Sequence, residues 1–360
     1  MERLLHRVRG RIERGERITA EDCRELFGVD DFLALAGIAR IARERRYGRR
    51  GYFRAVELLY YHGEDPTLFM AEAATIVPPE TVELVLRSPE IGDADLPRWL
   101  DRFERFAAGS IPTSLSLTAT FLSALADAGG ISVGELFDMI AERIALRLSA
   151  VDAFLLVEGW REENRPGVIT SERWLAAHKA AHEKGMRTEA GMVFMNDWDP
   201  ALYVEHLSLI RDLADATGGF ESFIPMAWHD PNADVAYRSV PTAAMAMKAT
   251  AICRLFLDNI PHILVSPDLT DPELATAAFD YGADTIDPTV RRADLRHGER
   301  RGAHADLLDA TGGLTVVSDN ERIMATSCRL DIIEEHIAEA RYEPVALDGA
   351  LRTMRMENKL

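Results

Sequence analysis

The stretch that decides the fold runs from residue 170 to residue 263. It contains the three blocks TSERWLAAHKAAHEKGMRTEAGMVF (170–194), VEHLSLIRDLADATGGFESFIPMAW (204–228) and ATAICRLFLDNIPHI (249–263). In each block an amphipathic run with helical spacing is followed, after a glycine or a short loop, by an apolar run of strand length. Helices and strands that alternate in this way predict parallel βαβ units.

The same alternation extends over most of the chain. Strands are predicted at 52–61, 67–77, 111–118, 151–158, 188–194, 221–228, 262–265 and 284–287. The run 67–77 is compatible with a strand or a helix, and a strand is preferred. Helices are predicted between them, among others at 79–86, 96–107 and 132–148. Eight strands separated by helices predict a (β/α)8 TIM barrel. The alternative, a doubly wound open sheet, needs a glycine-rich first βα turn, whereas the first turn here, YYHGEDPT (60–67), holds a single glycine.

The regions before and after the predicted barrel differ from it in pattern. Helices predicted at 2–15, 18–27 and 30–46 form a helical N-terminal cap, and the last seventy residues are charged and irregular. The predicted organisation is therefore a cap at 1–50, a barrel at 51–290 and a C-terminal extension at 291–360 that packs on the barrel.

The charge balance argues against two kinds of binding surface. The net charge of -18 disfavours a surface for nucleic acid or for an anionic membrane, because both need a basic face. No apolar run approaches the about 20 residues of a membrane span, and the charged N-terminus lacks the apolar core of a secretory signal. We expect a cytoplasmic protein that acts on a small-molecule substrate.

The cysteines give no sign of a metal site or a disulfide. Cys23, Cys253 and Cys328 are the three in the chain, and they are widely separated. Neither metal-binding nor disulfide spacing connects them.

In a TIM barrel the chemistry lies at the carboxyl ends of the strands. The polar and aromatic residues predicted there include Tyr61, His62, Glu72, Thr118, Glu158, Trp160, Asn196, His229 and Asp287. A carboxylate at the end of an apolar strand needs a partner, so Glu158 is either functional or paired with a loop arginine such as Arg161. His229 is either a base, a hydrogen-bond donor to a ligand, or a loop residue.

Three other histidines are assigned to packing or to solvent. His178 and His182 stand four residues apart on one predicted helix, a spacing found in metal sites, but no third ligand is near in the sequence. We therefore expect a solvated helix face. His206 lies inside a predicted helix, and we expect it to pack against its neighbours.

The blocks quoted above, with YGADTIDPTV (281–290) and the later His297, resemble the radical SAM enzymes of the aminofutalosine synthase group. That group includes dehypoxanthine futalosine cyclase and the second half of the deazaflavin-cofactor synthase. The resemblance runs from about residue 151 to residue 297, and more weakly into the N-terminal cap. It implies a TIM barrel of the radical SAM type that binds S-adenosylmethionine, or a nucleoside-like ligand, at its carboxyl end.

The chain departs from that group where the cofactor is held. The group carries a CxxxCxxC loop after its first strand, whose thiolates hold a [4Fe–4S] cluster, whereas the corresponding region YFRAVELLYYHGEDPTLFMAEA (52–73) has no cysteine. The resemblance therefore implies a degenerate member without the cluster and without radical chemistry. The group's glycine-rich loop after strand 4 is replaced by VEGW (157–160), and its His and Glu after strand 5 by Asn196 and Trp198. His229, Asp258-Asn259 and the Gly282-Ala283-Asp284 turn are kept.

Three hypotheses follow for function. The first is a cluster-free S-adenosylmethionine-dependent transferase or lyase of specialised biosynthesis, which performs polar substitution, elimination or cyclisation with Glu158 and His229 as acid and base. Tyr61, His62, Thr118, Trp160, Asn196 and Asp287 would bind the ligand. Either Trp160 or Tyr61 would stack on adenine or contact the sulfonium.

The other hypotheses come from different classes. One is a non-catalytic partner subunit of a cluster-bearing radical SAM enzyme. The other is a metal-dependent barrel that uses His62, Glu158, His229 and Asp287, although no local spacing supports a metal site. The expected protein partner is a second copy of the chain or a radical SAM protein.

Overall fold

The computed structural model describes residues 1–54, 57–61, 65–76, 84–87, 94–195, 199–228, 241–265, 272–287, 330–348 and 352–353. The strands in these ranges are β1 (Arg50–Arg54), β2 (Glu57–Tyr60), β3 (Leu84–Arg87), β4 (Thr113–Leu117), β5 (Ala145–Leu148), β6 (Thr188–Phe194), β7 (Phe220–Ala227), β8 (His262–Ile263), β9 (Thr285–Ile286) and β10 (Glu343–Leu347). The helices are α1 (Glu2–Arg14), α2 (Ala20–Leu26), α3 (Phe32–Tyr47), α4 (Pro66–Ile76), α5 (Leu96–Ala107), α6 (Ala119–Gly129), α7 (Val133–Ala141), α8 (Glu158–Asn164), α9 (Ser171–Glu183), α10 (Pro200–Thr217), α11 (Ala243–Phe256), α12 (Pro272–Ala277) and α13 (Leu330–Glu339).

The strands form parallel ladders in nearly sequential order. One ladder runs β2-β3-β4-β5, a second runs β6-β7-β8, and a third runs β10-β1-β9. A parallel bridge between Leu264 and Thr285 connects the second ladder to the third. Parallel strands that alternate with helices confirm the predicted α/β class.

Closure of the predicted barrel is not observed. Within the described ranges, no strand pairing connects β5 to β6. In its place Val193 of β6 donates its N–H to the carbonyl of Phe154, 3.1 Å away, in the loop after β5. The described strands therefore form an open arrangement of parallel ladders.

The second predicted strand is wrong. Of the strand predicted at 67–77, residues 67–76 are helical and form most of α4. The strand is β3, which overlaps the end of the helix predicted at 79–86. The start signal lies just upstream, where the Asp65 carboxylate accepts the backbone N–H groups of Thr67 and Leu68 at 3.0 and 3.1 Å. An Asp cap followed by proline at the first helical position is a helix start.

The fourth predicted strand is also wrong. Residues 151–157 form a buried loop, and the strand is β5, inside the helix predicted at 132–148. The polar residue in that apolar run explains the error. Asp152 is buried and accepts the N–H of Thr120 at 2.8 Å and the indole N–H of Trp174 at 3.1 Å. The loop is apolar because it is buried, not because it is extended.

The cap helices match the prediction to within a few residues and pack on the rest of the chain. Arg17, between α1 and α2, pairs with Asp215 at 2.6 Å and with Asp258 at 2.7 Å. Lys248 of α11 donates to the carbonyl of Phe27 at 2.7 Å. The cap is thereby connected to the helices that follow β6 and β7.

The C-terminal region adds one strand. β10 pairs in parallel with β1 over five residues, from Arg50↔Glu343 to Arg54↔Leu347. Every helix in the described part of the chain is too short or too polar to cross a membrane.

Candidate functional site

Three aromatic rings meet at the carboxyl ends of β6 and β7. Trp228 directly follows β7, and its N–H donates to the carbonyl of Phe194, the last residue of β6, at 2.7 Å. Its indole meets the ring of Trp160 from α8 with 5.3 Å between ring centroids and that of Phe154 with 6.0 Å, both edge to face. We call Phe154, Trp160 and Trp228 the aromatic corner.

An arginine is part of this corner. The guanidinium carbon of Arg165 lies 4.4 Å from the ring centroid of Phe154 and 5.7 Å from that of Trp228. Arg165 is buried, and arginine stays charged at all physiological pH values. One side of the corner therefore already carries a cation.

Phe154 has an unusual backbone. Its φ of 44° lies in the left-handed region, which side chains other than glycine rarely adopt. Such a conformation persists where the surroundings hold it, here the hydrogen bond from Val193 and the stack with Arg165.

The sequence predicts one member of the corner and not the other two. Trp160 is a predicted ligand contact. Trp228 is the last residue of the predicted strand 221–228, and the predicted candidate is His229, the residue after it. A tryptophan at the carboxyl end of a predicted strand was the available signal. Phe154 gave none, since its neighbours are equally apolar.

Glu158 does not end a strand. It is the first residue of α8, it is exposed, and its carboxylate accepts the backbone N–H of Ser171 at 2.9 Å. Arg161 donates to the carbonyls of Ala153 and Ile169, both at 2.7 Å. The predicted strand-end position of Glu158 is wrong, because the apolar run before it is a loop.

Tyr61 lies in a different aromatic group. Its ring meets those of Phe69, Trp99 and Phe106 edge to face, beneath α4 and α5. Only 1% of Tyr61 is exposed, which leaves no surface for a ligand. The predicted ligand contact is not supported, because the helix at 66–76 covers this side chain.

Thr118 follows β4, as predicted. Its hydroxyl oxygen accepts the N–H of Phe121 at 3.1 Å and caps α6. This contact is local, and Thr118 therefore has a structural role that is sufficient to explain it.

Asp287 belongs to a buried ion network. Arg54 of β1 pairs with Asp287 at 2.9 Å and also contacts the carboxylate of Glu189 in β6. All three side chains are buried. Glu189 precedes Phe194 by five residues, about 16 Å along a strand that rises about 3.3 Å per residue. The network thus lies well below the carboxyl end of β6, and Asp287 is not placed at the aromatic corner.

A further carboxyl group is influenced by this network. Burial raises the pKa of Glu221 in β7 to about 7, Arg147 and Arg54 lower it, and the charge of Glu189 raises it. Glu221 is half-buried.

Four candidate positions are not available for comparison. His62, Asn196 and His229 lie outside the described residues, as does the side chain of Glu72. Their predicted roles stay predictions.

His178 and His182 do not form a solvated face. Thr217 donates to the carbonyl of Leu213 and therefore accepts from Nδ1 of His182. Nε2 of His182 then accepts from Thr188, whose oxygen accepts from Nδ1 of His178. Burial lowers the pKa of His178 well below its usual value and that of His182 to about 4. The chain of hydrogen bonds needs a neutral His182, because its Nε2 accepts a hydrogen bond, and burial keeps His178 neutral.

His206 packs inside the fold, as predicted. It is fully buried, and its Nδ1 accepts the N–H of Leu156 at 2.9 Å. Burial lowers the pKa of His206 to about 3.

Two of the sequence features that this chain shares with the group it resembles have a structural role. Asn259 donates to Asp215 at 2.8 Å, beside the Arg17–Asp258 pair that holds the cap. The buried Asp284 contacts Arg254, accepts the N–H of Ile263 at 2.9 Å and lies 2.6 Å from Nδ1 of His262. Both features therefore connect elements of the fold and do not line the corner.

The described cysteines are poorly suited to hold an iron–sulfur cluster. Cys23 on α2 and Cys253 on α11 are buried, and burial raises the pKa of both thiols. Cluster ligands are thiolates, so a raised pKa opposes that role. Cys328 lies outside the described residues, and the described part of the chain contains no group of three His, Cys, Asp or Glu side chains placed to hold a metal ion.

Comparison with known proteins gives several relatives. Aminodeoxyfutalosine synthase of Streptomyces coelicolor is 26% identical over 327 residues, which cover 82% of this chain and 84% of the relative. Cyclic dehypoxanthine futalosine synthase of the same organism is 31% identical over 203 residues, 55% of this chain and 51% of the relative. The 5-amino-6-(D-ribitylamino)uracil–L-tyrosine 4-hydroxyphenyl transferase of Halobacterium salinarum is 29% identical over 51% of this chain and 44% of the relative. The chain thus spans about half the length of the last two. No protein-family model matches it.

Two solved structures have a fold similar to that of this chain. The [FeFe]-hydrogenase maturase HydG superposes with a TM-score of 0.65 at 14% identity, over 96% of this chain and 76% of that one. Methylornithine synthase PylB gives a TM-score of 0.56 at 13% identity, over 94% and 97%. The sequence relatives belong to the radical SAM group that the sequence blocks resemble. The resemblance is therefore confirmed.

Proposed function

Because this chain is a homologue of aminodeoxyfutalosine synthase, cyclic dehypoxanthine futalosine synthase and related radical SAM enzymes, we propose that it is a biosynthetic enzyme that binds S-adenosylmethionine or a related nucleoside at the carboxyl ends of its strands. We propose further that its chemistry is polar and needs no iron–sulfur cluster.

The observation that carries the binding part is the aromatic corner. Trp160 and Trp228 each keep a small exposed area, 8% and 9%. They come from two elements, α8 and the end of β7, that meet where the ligands of parallel α/β folds bind. Purine rings stack on indole rings, so the corner suits the base of a nucleoside.

The proposal of polar chemistry rests on where cysteines occur in the chain. Residues 52–73 contain no cysteine, and the thiols of Cys23 and Cys253 are buried on other elements. The carbons next to the sulfonium of S-adenosylmethionine are electrophilic without a metal. A nucleophile attacks one of them, the carbon–sulfur bond breaks towards sulfur, and a neutral thioether leaves. A general base takes the proton of the nucleophile.

His229 is the proposed base, since it follows Trp228 directly in the sequence. Glu158 is the second candidate. Its carboxylate already accepts the N–H of Ser171, so it would have to exchange this contact for a substrate proton. Arg54 and Asp287 contribute to stability in this scheme, not to proton transfer.

The alternative is a non-catalytic partner of a cluster-bearing radical SAM enzyme. One observation favours it. Thr118 caps a helix, Glu158 accepts the N–H of Ser171 near the start of α9, and Asp287 pairs with Arg54, so three of the polar residues predicted at strand ends have structural partners. Polar residues at these positions therefore do not by themselves demand catalysis.

The deciding experiment is isothermal titration calorimetry of the aerobically purified full chain with S-adenosylmethionine, S-adenosylhomocysteine and methylthioadenosine. The enzyme proposal expects micromolar affinity that Trp160→Ala weakens and Trp99→Phe leaves unchanged, since Trp99 lies in the other aromatic group. No binding of any of the three compounds contradicts it. In that case, capture of a cluster-bearing protein by the full chain would support the partner alternative.

A further inference from the structure

Side chains from β1, β6 and β7 share one interior space below the aromatic corner. Residues that are in register in a parallel ladder project to the same face of the sheet. Glu189 of β6 is in register with Ser222 of β7, and the carboxylate of Glu189 contacts Arg54 of β1. All three side chains are buried. We call Arg54, Glu189 and Ser222 the interior floor.

An irregularity in β7 places two consecutive residues on the interior side. The register of β7 on β6 shifts by one residue before Ser222, so Glu221 is an extra residue in β7. Phe220 and Phe223, on either side, contact histidines of the outer helices. Glu221 and Ser222 therefore both lie on the side away from those helices. β-Bulges are frequent next to functional sites, where they re-aim a side chain.

Two polar atoms of the interior floor have no hydrogen-bond partner in the described part of the chain. They are Nε of Arg54 and Oγ of Ser222, and both are buried. Nη1 and Nη2 of Arg54 reach Asp287 and Glu189, so Nε is the donor that remains. Buried polar groups in folded proteins nearly always have a partner. These two atoms therefore indicate a polar group that binds beside them.

The interior face of β7 above the floor is incompletely packed. Ile224 and Met226 are partly exposed, whereas the residues that alternate with them are buried. Trp228 of the aromatic corner follows Ser222 by six residues, about 20 Å along a strand that rises about 3.3 Å per residue. A small molecule can thus enter along β7 and occupy the floor while the corner stays free.

The hydrogen-bonding groups of the floor limit what it can bind. Nε of Arg54 is a donor and needs an acceptor, which ammonium and guanidinium groups lack. A carboxylate or phosphate supplies acceptors but is repelled by the carboxylates of Glu189 and Asp287, both close to Arg54. Glu221 shows that added negative charge is unfavourable here, since burial raises its pKa to about 7. A hydroxyl group accepts from Arg54 and exchanges a hydrogen bond with Ser222 without adding charge.

We propose that the interior floor binds a hydroxyl group of a neutral, polyol-like small molecule, with Nε of Arg54 as its donor and the hydroxyl of Ser222 as its second partner. This site goes beyond the proposed function, because it is separate from the aromatic corner and takes a second molecule. It does not depend on the binding of S-adenosylmethionine.

Three compounds with the same five-carbon chain and different charge test the chemistry. They are xylitol, which is neutral, glutarate, a dianion, and cadaverine, a dication. Saturation-transfer NMR of the full chain should show xylitol binding in the millimolar range, which suits a ligand of about ten heavy atoms. Glutarate and cadaverine should bind at least about ten times more weakly, because neither offers a neutral hydroxyl group.

Ser222→Ala tests the residue. It should weaken xylitol binding by about three- to tenfold, the usual effect of losing one hydrogen bond between neutral groups. Ser171→Ala is the matched control, since it removes another buried hydroxyl that has no hydrogen-bond partner in the described residues, at the start of α9. The control should leave xylitol binding unchanged. In the ligand-free protein neither substitution should lower the melting temperature, because neither hydroxyl makes a hydrogen bond within the described ranges.

Several outcomes contradict the proposal. Absence of xylitol binding, or binding that Ser222→Ala leaves unchanged, overturns it. Glutarate or cadaverine binding as tightly as xylitol also overturns it, since the site would then not select a neutral group. A melting temperature lower in Ser222→Ala than in Ser171→Ala overturns it as well, because the hydroxyl of Ser222 would then have a structural partner.

The calorimetry with S-adenosylmethionine separates this site from the proposed function. Xylitol binding by a chain that binds none of the three nucleoside compounds overturns the proposed function and leaves the interior site standing. Binding of S-adenosylmethionine without binding of xylitol overturns the interior site alone.

Discussion

Arg54 of β1 reaches Asp287, the residue after β9, with 2.9 Å between Nη1 and Oδ2, and both side chains are buried. The same guanidinium contacts Glu189 across the interior. One cation thus compensates two buried carboxylates. Such an arrangement stabilises only as long as every member is present.

Arg54→Met should therefore be strongly destabilising. Loss of the guanidinium leaves the carboxylates of Glu189 and Asp287 buried without their cation, which typically costs about 3–5 kcal/mol. Urea unfolding at pH 7.5 measures the change. The control is Arg14→Met, which removes an exposed pair with Glu16 and should change the free energy of unfolding far less than Arg54→Met. Equal effects of the two variants would contradict the role given to the interior network.

The buried histidines predict loss of stability in acid. In the folded protein burial lowers the pKa of His206 to about 3, while an unfolded histidine titrates near 6.5. Between these values the unfolded state binds more protons, so stability falls as the pH decreases below about 6.5. One such histidine contributes a slope of about 1.4 kcal/mol per pH unit.

His206→Gln should reduce that slope, and His6→Gln is the control for the same substitution at an exposed position. Unfolding free energies at pH 7.5, 6.0 and 5.0 provide the measurement. His178 and His182 act in the same direction, because burial lowers the pKa of both. A wild-type stability that is flat from pH 7.5 to 5.0 is incompatible with three neutral buried rings.

Much of the fold could be predicted from the sequence, and the two misplaced strands have one cause. The stretch 170–263 combines helical periodicity, glycine stops and short apolar runs, and its elements were placed correctly. At 67–77 and 151–158 the runs are apolar without a clear period. Such runs are equally compatible with a strand, a buried helix and a buried loop. The Asp65 cap and the buried Asp152 distinguish them, but their partners are visible only in the structure.

The candidate site was harder to predict than the fold. Glu158 was selected because it ended a predicted strand, so the wrong strand gave a wrong position. Trp228 is absent from the predicted site because the sequence assigns it to the apolar strand 221–228. The corner depends on contacts between residues 154, 160, 165 and 228, which no local pattern encodes.

The raised pKa of Glu221 predicts that the free energy of unfolding has the opposite pH dependence at higher pH. Its folded pKa is raised to about 7, above the usual value near 4.5, so its contribution to stability is present below pH 4.5 and is lost as the pH rises through 7. Glu221→Gln should therefore raise the free energy of unfolding at pH 8 by about 1 kcal/mol, after allowance for its partial exposure. Glu205→Gln, on the exposed face of α10, is the control with the same charge change. A loss of stability in Glu221→Gln at pH 8 would indicate that its ionised form is held by the nearby arginines.

The close packing of Gly219 against His182 predicts that a methyl group added at Gly219 lowers the stability of the fold. A Cβ on Gly219 would lie 2.0 Å from Cγ of His182, whose ring is fixed by hydrogen bonds to Thr188 and Thr217. The ring cannot move without breaking that chain, so Gly219→Ala should cost about 2 kcal/mol or more. Gly159→Ala is the matched control, because Gly159 lies in α8 and a Cβ added there would contact no other atom. Since alanine favours a helix more than glycine does, this variant should be more stable than the wild type by up to about 1 kcal/mol. Thermal unfolding of both variants beside the wild type measures the difference. If Gly219→Ala unfolded at the wild-type temperature, the histidine chain would have to be loose enough to rearrange.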